Sequence, residues 1–92
     1  YPGQGFRVQL RIGDVTRSAE VVDIAIGGAA LRTANDGLHP GAEVAVTARD
    51  LVLPGRVARL QPDGVVVAFR QNAETLAAAQ RLVAAVTAPA AA

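Results

Sequence analysis

The 92-residue chain has no cysteine, methionine, tryptophan or lysine. Without Cys there is no disulfide framework, no thiolate metal site and no thiol nucleophile. Without Lys there is no Schiff base, and a single Ser and a single His leave too few parts for a catalytic triad. No enzyme activity is therefore expected from the chain itself. His39 stands alone in a Gly/Pro stretch and is a poor metal ligand. The aromatics are Tyr1, Phe6 and Phe69 only. That is too few for the stacking platforms of a single-strand nucleic-acid binder. The net charge of +1 is too small for a general one, so DNA is not an expected partner. No run approaches the ~18 apolar residues of a membrane-crossing helix, and direct insertion into a bilayer is not expected.

What is present is mostly apolar. The apolar fraction is 51%, and 20 of those residues are Ala, leaving 27 larger side chains for a core. A chain this short buries roughly 60–68% of its unfolded surface, which allows one modest core. All nine cations are Arg. Arg binds planar anions, phosphates and base edges with a bidentate fork, and it stacks. Any anion recognition must be local, because the charges nearly cancel.

Strand patterning fills the first seventy residues. Phe6, Val8, Leu10 and Ile12 alternate with Arg7, Gln9 and Arg11, giving one inner and one outer face. Gly13-Asp14 supplies a turn. Val15 to Ala25 reads as a second strand ending in the apolar run Val21-Val22-Asp23-Ile24-Ala25-Ile26. Gly27-Gly28 breaks it, which indicates a bulge or a close backbone approach. Ala29 to Thr33 resumes as a short strand, and Ala34 to Gly41 is a loop by composition. Glu43 to Ala48 alternates again, and Arg49-Asp50 is a tight connection. Leu51 to Leu60 is strand-like, with Pro54-Gly55 expected to bend it or place it on an edge. Pro62-Asp63-Gly64 is a turn before the apolar strand Val65 to Phe69. The period then changes. Asn72 caps a helix with Glu74 in its first turn, and Leu76, Ala79, Val83 and Val86 form its apolar stripe. About six short antiparallel strands and one helix point to a barrel or sandwich, and a barrel removes the liability of free edges.

The stretch Asp23-Ile24-Ala25-Ile26-Gly27-Gly28, followed by Ala29-Ala30-Leu31-Arg32, resembles the Asp/Asn-x-Ser-x-x-Gly signature of the PilZ family. The downstream layout is similar too: Pro40-Gly41 before a Val-rich strand, a hairpin through Pro54-Gly55-Arg56-Val57, and Gly64 to Phe69 before the helix. The resemblance spans roughly Phe6 to Val86. It implies a six-stranded antiparallel β-barrel with one C-terminal α-helix, residues 6–87, with 1–5 as a lead-in and 88–92 as an unanchored Ala/Pro tail.

The resemblance also implies a ligand, the bacterial second messenger cyclic di-GMP, with no other cofactor. It implies a cytoplasmic setting, as a domain fused to an enzyme such as a cellulose synthase or working on a separate protein partner; a homodimer is left open. The implied ligand residues are Asp23, Ala25, Gly27 and Gly28, together with Arg7 and Arg11. Asp23 matches the guanine N–H edge, and Gly28 lets a ligand approach the backbone. Two departures weigh on this. Ala25 stands where the family has Ser, removing one hydroxyl contact. The family's Arg-x-x-x-Arg lies in the lead-in, but residues 1–5 contain no Arg. Arg7 and Arg11 have that spacing inside the first strand, where they are either ligand arginines or its solvent face. Arg32, Arg56 and Arg59 are likewise either a basic patch or a solvated outer face. A barrel of this family that has lost its ligand and serves as an interaction module is the alternative.

Overall fold

The computed structural model describes residues 1–88. Its elements are β1 (Arg7–Ile12), β2 (Val15–Ala25), β3 (Gly28–Arg32), β4 (Glu43–Ala48), β5 (Leu51–Gln61), β6 (Gly64–Phe69) and α1 (Ala73–Thr87). All strand pairs are antiparallel, and the sheet closes on itself in the order β1-β2-β3-β6-β5-β4. The expected barrel and helix are thus present. The part of the expected 88–92 tail from Pro89 onward lies outside the described residues.

Alternation decides what is inside. Val8 and Leu10 of β1, Val44 and Val46 of β4, and Val65 and Val67 of β6 are buried, while Arg7, Gln9 and Arg11 face out. Four hairpins have two-residue turns: Gly13-Asp14, Ile26-Gly27, Arg49-Asp50 and Pro62-Asp63. Arg49 adopts a left-handed φ of 57°, and its guanidinium lies 5.8 Å from the centre of the Phe6 ring. β3 and β4 sit on opposite walls of the barrel, so residues 33–42 span one end of it, anchored by buried Leu38. Asn35 Nδ2 holds this loop by donating to the carbonyls of Gln61 and Gly64.

Three local expectations need correction. First, no hairpin forms through Pro54-Gly55-Arg56-Val57, because β5 runs unbroken from Leu51 to Gln61. Nor does Pro54 put the strand on an edge. It pairs with Ala45 of β4, while its carbonyl accepts from Arg70 N on the other side at 2.8 Å. The ring nitrogen points the same way as that carbonyl, so no bond to β4 is lost. Second, the bulges are not at Gly27-Gly28. They are single extra residues at Val22 in β2 and Ala58 in β5. Third, the buried helix stripe is Thr75, Ala79, Leu82 and Val86, and Leu76 is 46% exposed. Both stripes satisfy the helical period and share Ala79 and Val86. Packing on β5 and β2 selects the one that puts Leu82 inside. Asn72 caps the helix as expected, its Oδ1 accepting from Thr75 N at 2.8 Å.

Candidate functional site

The two bulges set the outer face of the barrel. Side chains alternate along a strand, so one extra residue reverses every later one. In an unbroken β2, Asp23 would follow Val21 into the core. With Val22 inserted, Asp23 turns outward and Ile24 fills the core at 2% exposure. In β5, Val57 is buried and an unbroken strand would point Arg59 inward. With Ala58 inserted, Arg59 pairs with Val66 on the outer face.

The register then aligns these residues in rows across four strands. One row runs Asp23, Ala30, Val66, Arg59 through β2, β3, β6 and β5. The next runs Ala25, Gly28, Ala68, Arg56. Small side chains occupy the middle of both rows, and larger polar groups stand on either side. A groove of about 570 Å³ results, lined among others by Asp23, Ala25, Gly27, Gly28, Arg59 and Gln61. A second hollow of about 550 Å³, lined by Arg56, Arg70 and Glu43 among others, shares Ala68 with the first. The structure thus brings four of the expected ligand residues, Asp23, Ala25, Gly27 and Gly28, to one groove. Arg7 and Arg11 lie on the exposed face of β1 and line neither hollow.

The two glycines differ. A Cβ on Gly28 would lie 2.4 Å from the carbonyl oxygen of Val67, so this residue lets β3 approach the backbone of β6. A Cβ on Gly27 would meet nothing within 4 Å, so Gly27 leaves open space at the groove. Residues 1–5 are bound to the rim of the groove. Tyr1 N donates to Ile24 O, Ile24 N to Tyr1 O, and Gly3 N to Val22 O. A Cβ on Gly3 would collide with the carbonyl of Val21. The chain then turns at Gln4 and Gly5, with φ of 53° and 76°, to enter β1. Tyr1 itself lines the groove, and the Asp23 side chain, 3.5 Å from Tyr1 N, is 68% exposed.

The arginines divide by their partners. Arg17 donates to the carbonyls of Ala34 and Asp36. Arg32 pairs with Glu20 at 2.7 Å and Asp63 at 3.4 Å, and its hydrogen bonds to these two carboxylates hold the guanidinium above its ordinary pKa. Arg70 reaches Glu43 and Arg81 reaches Asp50. Arg7 makes one long contact, 3.4 Å, to Ser18 Oγ. Among the described residues, the side chains of Arg11, Arg56 and Arg59 make no hydrogen bond or ion pair. No group of three metal-ligating side chains occurs among the described residues, and none of their helices is long and apolar enough to cross a membrane.

A sequence model of the PilZ domain matches residues 5–87. The chain belongs to the PilZ family. Neither a curated protein nor a solved structure matches it. PilZ domains form a family of cyclic di-GMP receptors that regulate rather than catalyse. The PilZ signature of this chain is the groove side of the β2–β3 hairpin. Sequence reasoning did not find the groove's other members, Tyr1, Ala30, Gln61, Val66 and Ala68. Ala30, Val66 and Ala68 are outward positions of strands whose alternation was already plain. Their grouping depended on strand order, which no local pattern carries.

Proposed function

We propose that this chain is a cyclic di-GMP receptor domain that passes ligand binding on to an attached catalytic or effector domain, or to a separate protein. The observation that carries this reading is the grouping of Asp23, Ala25, Gly27 and Gly28 at one open groove of a PilZ barrel. An exposed carboxylate at Asp23 accepts from guanine N–H donors. Gly27 leaves room for a base or sugar beside the hairpin. Ala25 offers no hydroxyl, which lowers affinity by roughly the worth of one hydrogen bond, about 0.5–1.5 kcal/mol.

The lead-in supports the relay. Residues 1–3 are tied to the bulged part of β2 by main-chain bonds, and Tyr1 forms part of the groove wall. A ligand seated against Asp23 meets this segment directly. Changing its order or direction is a route from the groove to whatever the domain regulates. A receptor for this messenger works on the cytoplasmic side of the bacterial membrane.

Calorimetric titration of cyclic di-GMP into the chain tests the reading. Saturable binding is expected, weakened at least ~10-fold by Asp23→Asn, which removes the charge-assisted acceptor. Silence from the unsubstituted chain would refute it. That result would favour the interaction-module reading, which rests on Ala25 in place of the signature Ser.

A further inference from the structure

Arg7 and Arg11 lie on β1 and line neither hollow of the outer face. We infer that Arg56 and Arg59 of β5 are the cationic wall of the groove and bind the phosphates or guanine edges of the nucleotide. The ligand class rests on the receptor reading above; the choice of residues rests on the barrel.

Three observations converge on this pair. The first is availability. Five of the nine arginines are engaged by carboxylates, carbonyls or the Phe6 ring, and Arg7 is weakly held at Ser18. Of the three with no such partner among the described residues, Arg11 is on β1, away from both hollows, while Arg56 and Arg59 line them. The second is direction. Arg56 and Arg59 are three positions apart and would face opposite sides of a regular strand. The extra residue Ala58 brings both to the outer face.

The third is opposition. Arg59 shares a row with Asp23 and Arg56 shares one with Ala25, and only Gly, Ala and Val lie between them. Followed along the curved sheet, three strand spacings of roughly 4.8 Å each lie between the two sides, and the lining of one groove includes both Asp23 and Arg59. One wall accepts hydrogen bonds and the other donates them, which is the polarity that a guanine nucleotide needs. Guanine donates through N1 and N2 on one edge and accepts at O6 and N7 on another, and its phosphates accept throughout. A guanidinium fork matches both kinds of acceptor. Glu43, the register partner of Arg56 on β4, directs its carboxylate to Arg70, which leaves the Arg56 fork free.

The test compares the unsubstituted 92-residue chain with Arg56→Gln/Arg59→Gln and Arg7→Gln/Arg11→Gln double variants. Gln keeps much of each aliphatic stem, and thermal midpoints check that all three proteins fold. Cyclic di-GMP and guanosine 5′-monophosphate are the probes, read by calorimetry and by the NMR signals of the arginine Nε–H groups. The Arg56/Arg59 variant is expected to weaken cyclic di-GMP binding at least ~30-fold, two charged hydrogen-bonding groups being lost. The Arg7/Arg11 variant is expected to stay within about 3-fold of the unsubstituted chain. If the loss follows Arg7 and Arg11 instead, this assignment is overturned while the receptor reading stands. If cyclic di-GMP does not bind but the monophosphate shifts the Arg56 and Arg59 signals, the receptor reading falls and the cationic wall stands. If neither nucleotide moves those signals, both fall.

Discussion

Gly27 and Gly28 are neighbours in the sequence, yet substitution by Ala should move stability in opposite directions. A Cβ on Gly28 would lie 2.4 Å from Val67 O, well inside contact distance. Relief requires β3 and β6 to part by most of an ångström, in a closed barrel where neither strand is free to drift. Overpacking of this kind costs about 1–3 kcal/mol. Stiffening of the unfolded chain returns about 0.4–1 kcal/mol of that. The net loss is then about 1–2 kcal/mol, and at 4–8 °C per kcal/mol for a domain this size the midpoint falls by roughly 4–16 °C. Gly27→Ala meets nothing within 4 Å, and Gly27 has no left-handed φ. Only the unfolded-chain effect remains, so its midpoint should hold or rise by a few degrees. Thermal unfolding followed by circular dichroism measures both. Equal midpoints for the two variants would refute the claim that Gly28 serves the backbone of β6. Gly27→Ala also places a methyl at the groove, so it should weaken nucleotide binding without loss of stability.

Three further outcomes follow from the same structure. Leu82→Ala empties a position that is 1% exposed and should cost about 2–5 kcal/mol, while Leu76→Ala should stay within about 0.5 kcal/mol; urea unfolding that ranked them the other way would restore the stripe through Leu76. Asn72→Ala removes the acceptor for Thr75 N and should cost about 1 kcal/mol, seen as lower helix content and an earlier urea midpoint. Ala25→Ser restores the hydroxyl of the family signature on an exposed strand end; calorimetry should show cyclic di-GMP affinity rising about 2- to 10-fold, and an unchanged affinity would place that side chain out of ligand reach.

The strands were legible because period-two alternation survives even in a small, Ala-rich chain. Val15–Ala25 and Glu43–Ala48 have the bounds that their patterns predict. The bulges were not legible. Val21-Val22-Asp23-Ile24 reads as a continuous apolar run, and only pairing with β3 shows that Val22 is the extra residue. The same holds for Arg59, which alternation counted from Val57 would send into the core. Gly27-Gly28 was marked as a bulge or a close approach, but not that Gly28 alone makes the approach, to Val67 of β6. Residues 1–5 were legible only as a lead-in. Its order comes from Gly3 fitting against Val21 and from bonds to β2, which depend on tertiary placement.

The bulges also bear on how such a site is inherited. Each bulge residue is one unit of slack between a buried position and the wall residue that follows it. A relative that lost Val22 or Ala58 would still turn its Asp or Arg outward, because that residue would then follow a buried one directly. Losing Ala58 alone would leave only Val57 between the two arginines and keep both on the outer face, because Arg59 would then follow buried Val57 directly. The spacing of such a motif is therefore free to vary by one at the bulge, and a pattern with fixed spacing would pass over relatives that carry the same groove.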